Sequence, residues 1–108
     1  MRVDSQTIHE LETIKQIILN TVKADSIYLF GSHAYGTQSQ HSDFDLYVVI
    51  PDGGIRPIEA MQIIGGALYK QQTKPIDILV GRASDFQRRK LLPTIERTVA
   101  RDGVLLYG

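Results

Sequence analysis

The chain has 108 residues, 43% apolar and 22% charged, which is enough for one small globular domain with its own hydrophobic core. Twelve lysines and arginines balance twelve aspartates and glutamates, so no overall positive field favours nucleic acid, and the absence of cysteine excludes disulfides and thiolate metal sites. The sequence has no signal-peptide core and no run approaching a membrane span. We therefore expect a cytoplasmic protein without a membrane partner, folded as a single domain over residues 1–108.

Apolar periodicity predicts an amphipathic helix over roughly residues 6–23. Thr7 and Glu10 have the spacing of a capping box, and apolar residues then recur at helical intervals. The predicted buried stripe consists of Ile8, Leu11, Ile14, Ile18 and Val22. The unbroken apolar run 27–30 follows and predicts a strand covered on both faces, because a strand with one solvated face would alternate polar and apolar residues.

A glycine-rich segment, residues 31–36, comes directly after this strand and reads Gly-Ser-His-Ala-Tyr-Gly. Glycines let the backbone turn sharply and approach a ligand closely, and the Ser32 hydroxyl and nearby N–H groups suit a phosphate. We call residues 31–36 the phosphate cradle. His33 is interpreted either as a phosphate contact or as an exposed loop residue, and Tyr35 as a contact for a base or a partner. The polar segment 36–42 then predicts a loop after a short helical turn.

Two carboxylates one residue apart, Asp43 and Asp45, head the apolar run 46–50. In a strand they share one face with Tyr47 and Val49. The opposite, apolar face consists of Phe44, Leu46, Val48 and Ile50. An Asp-x-Asp pair alone is typical of a solvated strand end, but the preceding glycine-serine turn and a third aspartate further along the chain favour a catalytic site.

The middle of the chain predicts a turn, a helix and a third strand. Residues 51–54 have turn composition, and Pro57 suits the first turn of a helix ending near Gln72. Two adjacent glycines, Gly65 and Gly66, lie inside this helix, and we expect them to pack closely against the sheet because glycine is otherwise unfavourable there. The apolar run 75–81 predicts the third strand. One residue of that run, Asp77, is the third carboxylate.

The end of the chain predicts a broken helix and a closing strand. Ser84 and Gln87 again have capping-box spacing, and Pro93 breaks or restarts the helix that follows. Its predicted buried stripe consists of Leu91, Ile95 and Val99. The basic run 88–90 is interpreted as a solvated helix face rather than a nucleic-acid site, and 104–107 as the last strand. The fold class is α/β (α+β): one mixed sheet of about four strands with helices packed on it.

These residues together resemble a known family. The pattern consists of Gly31-Ser32, Gly36, Ser42-Asp43-x-Asp45-Leu46, the later Asp77 and the ending Gly103 to Tyr107. It is similar to the minimal nucleotidyltransferases of the DNA polymerase beta nucleotidyltransferase superfamily, and the resemblance covers nearly the whole chain. Members of this family often carry arginine at the position of His33 and a basic residue at that of Tyr35. The resemblance implies the nucleotidyltransferase fold.

The resemblance also implies the chemistry of the site. Asp43 and Asp45 would hold two Mg²⁺ ions, or Mn²⁺, on a nucleoside triphosphate, and Asp77 would complete one metal site or help to deprotonate the attacking hydroxyl. The hard oxygen ligands of three carboxylates suit these metals. The nucleotide-binding residues that it implies are Gly31, Ser32, Gly36 and Ser42.

Three functions follow as hypotheses from this resemblance. The first is transfer of AMP from ATP onto an acceptor hydroxyl, a tyrosine of a helical partner of the HEPN family, within a toxin-antitoxin pair. The second is a non-catalytic subunit that neutralises such a partner by binding it. A weaker third is nucleotide transfer to RNA or a small molecule. The first two imply an oligomer, with a partner or with further copies of the chain.

Overall fold

A single four-stranded sheet organises the chain in the computed structural model, which describes residues 5–35, 43–70 and 75–108. The strands are β1 (Ser26–Phe30), β2 (Phe44–Ile50), β3 (Ile76–Arg82) and β4 (Val104–Tyr107). Their order is β3-β2-β1-β4. β1 is antiparallel to both β2 and β4, whereas β2 and β3 are parallel. The predicted mixed sheet is therefore confirmed.

Five helices connect these strands. They are α1 (Ser5–Thr21), α2 (Ser32–Tyr35), α3 (Pro57–Leu68), α4 (Ala83–Arg89) and α5 (Ile95–Asp102). The parallel pairing of β2 and β3 requires a crossover, which α3 supplies. α3 ends at Leu68, before the predicted end near Gln72, which lies outside the described residues. No helix in the described parts of the chain is long and apolar enough to cross a membrane.

One face of the sheet carries the main hydrophobic core. α1 and α3 lie together on this side, and the predicted apolar face of β2 points towards them. Its residues Phe44, Leu46, Val48 and Ile50 are at most 1% exposed. The α1 stripe is confirmed from Leu11 to Val22, but Ile8 lies outside the core and is 55% exposed.

The other face of the sheet carries a smaller core formed with α4 and α5. Tyr47 and Val49 of β2 are buried there together with Phe86 and Val99. Helices therefore cover both faces, as the apolar run of β1 predicted. The predicted stripe of Leu91, Ile95 and Val99 is wrong except for Val99, since Leu91 and Ile95 are 77% and 42% exposed. The break before Pro93 places Leu91 in the connection between two helices, so it does not share a face with the residues of α5.

The two adjacent glycines of α3 lie on its outer side, away from the sheet. Gly65 and Gly66 are exposed, and a Cβ added at either would meet nothing within 4 Å. The prediction that they pack against the sheet is therefore wrong, because the buried side of α3 is formed by Ala60, Ile64 and Leu68 instead.

Candidate active site

The three predicted carboxylates come together at one end of the sheet. Asp45 lies opposite Phe30 of β1 on one side and opposite Asp77 of β3 on the other. Asp43 comes just before β2, two residues from Asp45, so the two carboxylates share the strand face that looks away from the main core. The Phe44 N–H donates to the Pro75 carbonyl oxygen at 3.0 Å and fixes where the two parallel strands begin.

Asp45 is the electrostatic centre of this group. Partial burial raises the pKa of the Asp45 carboxyl above its usual value, and the charges of Asp77 and Asp43 and a hydrogen bond with Asp77 raise it further. His33 acts in the opposite direction and lowers this pKa. The Asp45 carboxylate therefore lies among charges that disfavour its ionised form.

The first residue of the phosphate cradle lies directly against Asp45. Gly31 adopts a φ of 75°, in the left-handed region that favours glycine. A Cβ built on Gly31 would collide with the Asp45 carboxylate, at 3.0 Å from Cγ and closer still to Oδ2. Glycine is therefore needed here for two independent reasons, backbone conformation and the approach of Asp45.

The described residues of the cradle after Gly31 form a single helical turn. The Ala34 N–H donates to the Gly31 carbonyl oxygen at 3.1 Å, and α2 is four residues long. Ser32, the first residue of α2, is partly exposed beside Gly31. Such a short helix has only a small dipole, so any phosphate contact depends on the local N–H and hydroxyl groups.

His33 differs from both interpretations of its sequence position. Its side chain is 2% exposed, and its ring lies 4.6 Å from that of Phe44, with the ring planes at 41°. An exposed loop histidine is therefore wrong, and a ring so deeply buried is not presented to a phosphate in solvent. The imidazole points inward because α2 packs on both β1 and β2.

A divalent cation fits the chemistry of the carboxylates. In residues 5–35, 43–70 and 75–108, no group of three or more histidine, aspartate or glutamate side chains is arranged to hold a metal ion. The donors are nonetheless hard oxygens, and Asp43, Asp45 and Asp77 concentrate negative charge at one end of the sheet. A cation would neutralise their mutual repulsion, so the residues present suit the magnesium that the family resemblance implies.

Several predicted residues fall outside this description. Gly36 and Ser42, and the side chain of Tyr35, lie outside the described part of the chain. The basic run is described: Arg88 and Arg89 are exposed, and each is paired within the protein. Arg88 Nη2 lies 3.1 Å from Asp85 Oδ1, and Arg89 Nε lies 3.0 Å from Glu96 Oε1. These pairs agree with a solvated helix face.

A buried polar group next to the site is absent from the predicted site residues. The Tyr47 hydroxyl donates to Glu96 Oε2 at 2.8 Å, and Arg89 donates to the other carboxylate oxygen. Burial raises the pKa of Glu96, but the hydrogen bonds from Tyr47, the backbone and Arg89 outweigh it, and the net pKa lies below the usual value. Glu96 precedes Val99 by three residues and so shares its buried helix face, which is the signal that could have identified it.

Comparison with known proteins agrees with this geometry. The family described as Polymerase beta, Nucleotidyltransferase matches residues 12–108. The protein adenylyltransferase MntA of Shewanella oneidensis is 43% identical over 47 residues, which cover 44% of this chain and 34% of that protein. The match thus spans about a third of the length of that relative.

Two crystal structures show the same fold. One is a variant of the toxin-antitoxin MntA-HpeT, with a TM-score of 0.63 and 24% identity over 92% of this chain and 73% of that one. The other is a toxin-antitoxin with AMP-PNP, with a TM-score of 0.52 and the same identity and coverage. The family match extends over most of the chain, and it includes β1, the cradle and all three carboxylates. The chain therefore belongs to the polymerase beta nucleotidyltransferase family.

Proposed function

We propose that this nucleotidyltransferase moves AMP from ATP onto a hydroxyl group of a protein partner. One observation carries the proposal: Asp45 is held between Gly31 and Asp77, with Asp43 two residues away. The backbone turn at Gly31 can approach phosphates closely. It lies beside three carboxylates, whose negative charge needs a cation. Both are required to bind a nucleoside triphosphate for attack at its α-phosphorus.

The expected reaction is an in-line displacement. The acceptor oxygen forms a bond to the α-phosphorus, the bond from that phosphorus to the bridging oxygen breaks, and pyrophosphate leaves with the electron pair. Magnesium, when bound to Asp43 and Asp45, would neutralise charge on the triphosphate, with Asp77 completing a metal site or accepting the hydroxyl proton. Gly31 and Ser32 would orient the β- and γ-phosphates, so positioning supplies much of the catalysis. Gly36 and Ser42 remain predicted parts of the nucleotide site.

The relatives support a protein partner for this chain. A relative with 43% identity over 47 residues is a protein adenylyltransferase, and two structures of the same fold are toxin-antitoxin assemblies, one with AMP-PNP. These support an antitoxin that modifies its toxin and uses ATP as donor. We further propose that the toxin is a helical protein of the HEPN family and that the acceptor is one of its tyrosines, since the phenolic oxygen reaches further from a helix than a serine oxygen does.

A second candidate function, neutralisation by binding alone, is favoured by the outer side of α3. Ile58 and Tyr69 are 51% and 81% exposed there, on either side of Gly65 and Gly66. The same helix carries one charged residue, Glu59, and its side chain is paired with Arg56. An uncharged, partly apolar surface of this kind suits a protein partner.

Isosteric variants separate the two functions. Asp77→Asn and the double variant Asp43→Asn/Asp45→Asn remove charge but leave the outer surfaces unchanged. With radiolabelled ATP and magnesium, we expect the wild type to label its partner and both variants to lose at least about a hundredfold in rate, or about 2.7 kcal/mol of transition-state stabilisation. The partner should still copurify with each variant. Asp25→Asn, an exposed aspartate before β1, is the matched control and should keep full activity.

The outcomes distinguish all three hypotheses. If the double variant neutralises the toxin as strongly as the wild type and no label transfers, binding alone explains the function and the enzyme proposal fails. Label found on RNA or on a small molecule, with the partner unlabelled, would assign a different acceptor. Equal labelling by the wild type and both variants would remove the carboxylates from the mechanism.

A further inference from the structure

The exposed glycines of α3 have no explanation within a single copy of the chain. Gly65 and Gly66, here called the glycine pair, are exposed, and a Cβ added at either would meet no described atom within 4 Å. Alanine would therefore fit at both positions and would favour the helix by about 1 kcal/mol per residue. What glycine provides at an exposed helix position is a flat surface that another backbone can approach closely.

The glycine pair belongs to a continuous exposed stripe along α3. Ile58 and Gln62 precede the pair and Tyr69 follows it, at the three- and four-residue intervals that place side chains above one another on a helix. All of these residues are exposed, Ile58 by 51% and Tyr69 by 81%. The stripe therefore carries a protruding isoleucine on one side of a flat glycine surface and a protruding aromatic ring on the other.

A cavity of about 510 Å³ opens at the beginning of the same helix. Its lining includes Ile55 and Ile63, which are 39% and 45% exposed, together with Val22 and Pro51. Tyr69 lies at the opposite end of the helix, as its C-cap residue. One helix thus presents an exposed aromatic ring at its end and an open, largely apolar cavity at its beginning.

The charges at the two ends of α3 also differ in sign. Glu59 lies in the first turn, and Lys70 directly follows Tyr69 at the other end. Two such helices packed antiparallel would bring the basic end of one beside the acidic end of the other, and would also pair opposite ends of their dipoles. A parallel arrangement would place like ends together. The charges therefore favour an antiparallel pair.

We propose that the outer side of α3 is an interface between two copies of this chain, packed antiparallel about a twofold axis near Gln62. Ile58 of each copy then lies over the glycine pair of the other, and Tyr69 of each copy reaches Ile55 and the cavity of the other. A twofold interface requires that one surface carry both members of every contact. The outer side of α3 meets this requirement for shape and for charge.

The available area suits such a dimer. Two Tyr69 side chains would bury about 300–500 Å² of the roughly 1,000 Å² that a specific interface needs. The exposed isoleucines on both copies add to that area. The interface also leaves both active sites open, because α3 covers the main core, whereas Asp43 and Asp45 share the strand face that looks away from it. Dimerisation and neutralisation of a toxin through this surface exclude each other.

Bulky side chains on the glycine pair test the interface without disturbing a single copy. Gly65→Leu/Gly66→Leu fills space that is open in the monomer, and leucine favours a helix over glycine. By sedimentation velocity, the wild type should be a dimer at about 100 μM, since interfaces range from micromolar to picomolar affinity. The variant should dimerise at least a hundredfold more weakly. Gln87→Leu, which adds an exposed leucine on α4, is the matched control and should dimerise like the wild type.

Urea denaturation at a concentration where both proteins are monomeric provides the folding control. The glycine-pair variant should then unfold at the same urea concentration as the wild type or at a higher one, because the substitution favours α3 and meets no described atom. A residue pair needed only for the fold would instead lower this midpoint. Loss of the dimer together with an undiminished midpoint is therefore specific to an interface.

Crosslinking tests the direction of packing. The chain has no cysteine, so variants with one added cysteine report single positions. A short bismaleimide should join two copies of Gln62→Cys, which lie near the twofold axis. It should not join two copies of Lys70→Cys, because eight residues on each side of the axis separate them by about 24 Å. Lys70→Cys should instead be joined to Glu59→Cys when the two variants are mixed.

Three results would overturn the inference. They are a wild type that stays monomeric at the stated concentration, a glycine-pair variant that dimerises as strongly as the wild type, and Lys70→Cys joined to itself but not to Glu59→Cys. If the glycine-pair variant does not fold, Tyr69→Ser takes its place with the same expected loss. A monomeric wild type that binds a toxin only while the glycine pair is intact would assign this surface to the toxin and would also overturn the inference.

Discussion

The close approach of Gly31 to Asp45 can be tested with a pair of alanine substitutions. Gly31 and Gly53 have nearly the same backbone conformation, with φ of 75° and 79°. They differ in surroundings: a Cβ on Gly31 would collide with Asp45, whereas a Cβ on Gly53 would meet nothing within 4 Å. Gly53→Ala is therefore a matched control that carries the backbone strain without the collision.

The backbone strain and the steric collision each have an expected energetic cost. A non-glycine residue in the left-handed region costs about 1–2 kcal/mol, so both variants should lose about that much free energy of unfolding. Gly31→Ala should lose about 1–3 kcal/mol more, the usual cost of forcing an additional methyl group into an occupied space. Displacement of the Asp45 carboxylate should also reduce magnesium-dependent transfer at least about a hundredfold in Gly31→Ala, or about 2.7 kcal/mol. Gly53→Ala should keep wild-type activity.

Urea denaturation measures the first difference, and labelling with radiolabelled ATP measures the second. Equal unfolding free energies for the two variants, together with full activity of Gly31→Ala, would refute the reasoning, since they would show that Asp45 can move away without consequence. Gly31→Val should have a lower free energy of unfolding and a lower transfer rate than Gly31→Ala, because β-branching adds further atoms beside the carboxylate.

Further predictions concern titration, the buried polar group and metal binding. Asp45→Asn should raise the melting temperature of the metal-free protein at neutral pH, because a raised pKa means that ionisation of Asp45 destabilises the folded state. This gain should vanish below about pH 3, where the Asp45 carboxyl is protonated in both the folded and the unfolded state. Tyr47→Phe should lower the free energy of unfolding by about 1.5–3 kcal/mol, measured by urea denaturation, because it removes a hydrogen bond to the buried Glu96 carboxylate. The control Tyr69→Phe, at an 81% exposed position, should not change the free energy of unfolding measurably. Because the pKa of Glu96 is lowered, its stabilising contribution should be present at neutral pH and be lost as the pH falls below about 4.5, and Glu96→Gln should abolish that dependence. Magnesium with an ATP analogue at 100 times its dissociation constant should stabilise the wild type by about 2.7 kcal/mol, measured by calorimetry, and Asp43→Asn should reduce this gain.

Periodicity predicted the elements well because the core depends on it. The alternation along β2 is visible in the sequence, and the structure buries every second residue from Phe44 to Ile50 on the main core as that alternation requires. The failures lie where a residue has no periodic neighbours. Spacing places Leu91 in a helix stripe, whereas the structure places it in a connection, because spacing alone does not distinguish an exposed leucine from a buried one.

The details of the site depend on contacts between segments distant in sequence. The pairing of Asp45 with Asp77 spans 32 positions, and only the parallel register of β2 and β3 brings them side by side. The burial of His33 does not follow from the sequence, because burial of a short turn depends on how the turn packs on the sheet rather than on its composition. The hydrogen bond from Tyr47 to Glu96 likewise joins two elements 49 positions apart. The residue types alone predict that the carboxylates can bind a metal. The effect of Asp43 and Asp77 on the pKa of Asp45 depends on their positions in the folded structure.

The register of β2 links the stability of the fold to the geometry of the site. Side chains alternate between the two faces of a strand, so a shift of β2 by one residue would turn Asp45 towards the main core and bring Leu46 to the site. The main core admits no such shift, because Leu46 and Val48 are 0% exposed and a carboxylate in their place would be buried without compensation. Hydrophobic burial on one face therefore fixes the position of Asp45 on the other. The repulsion among the carboxylates is tolerated because the strand that carries them is fixed by residues that never meet the substrate.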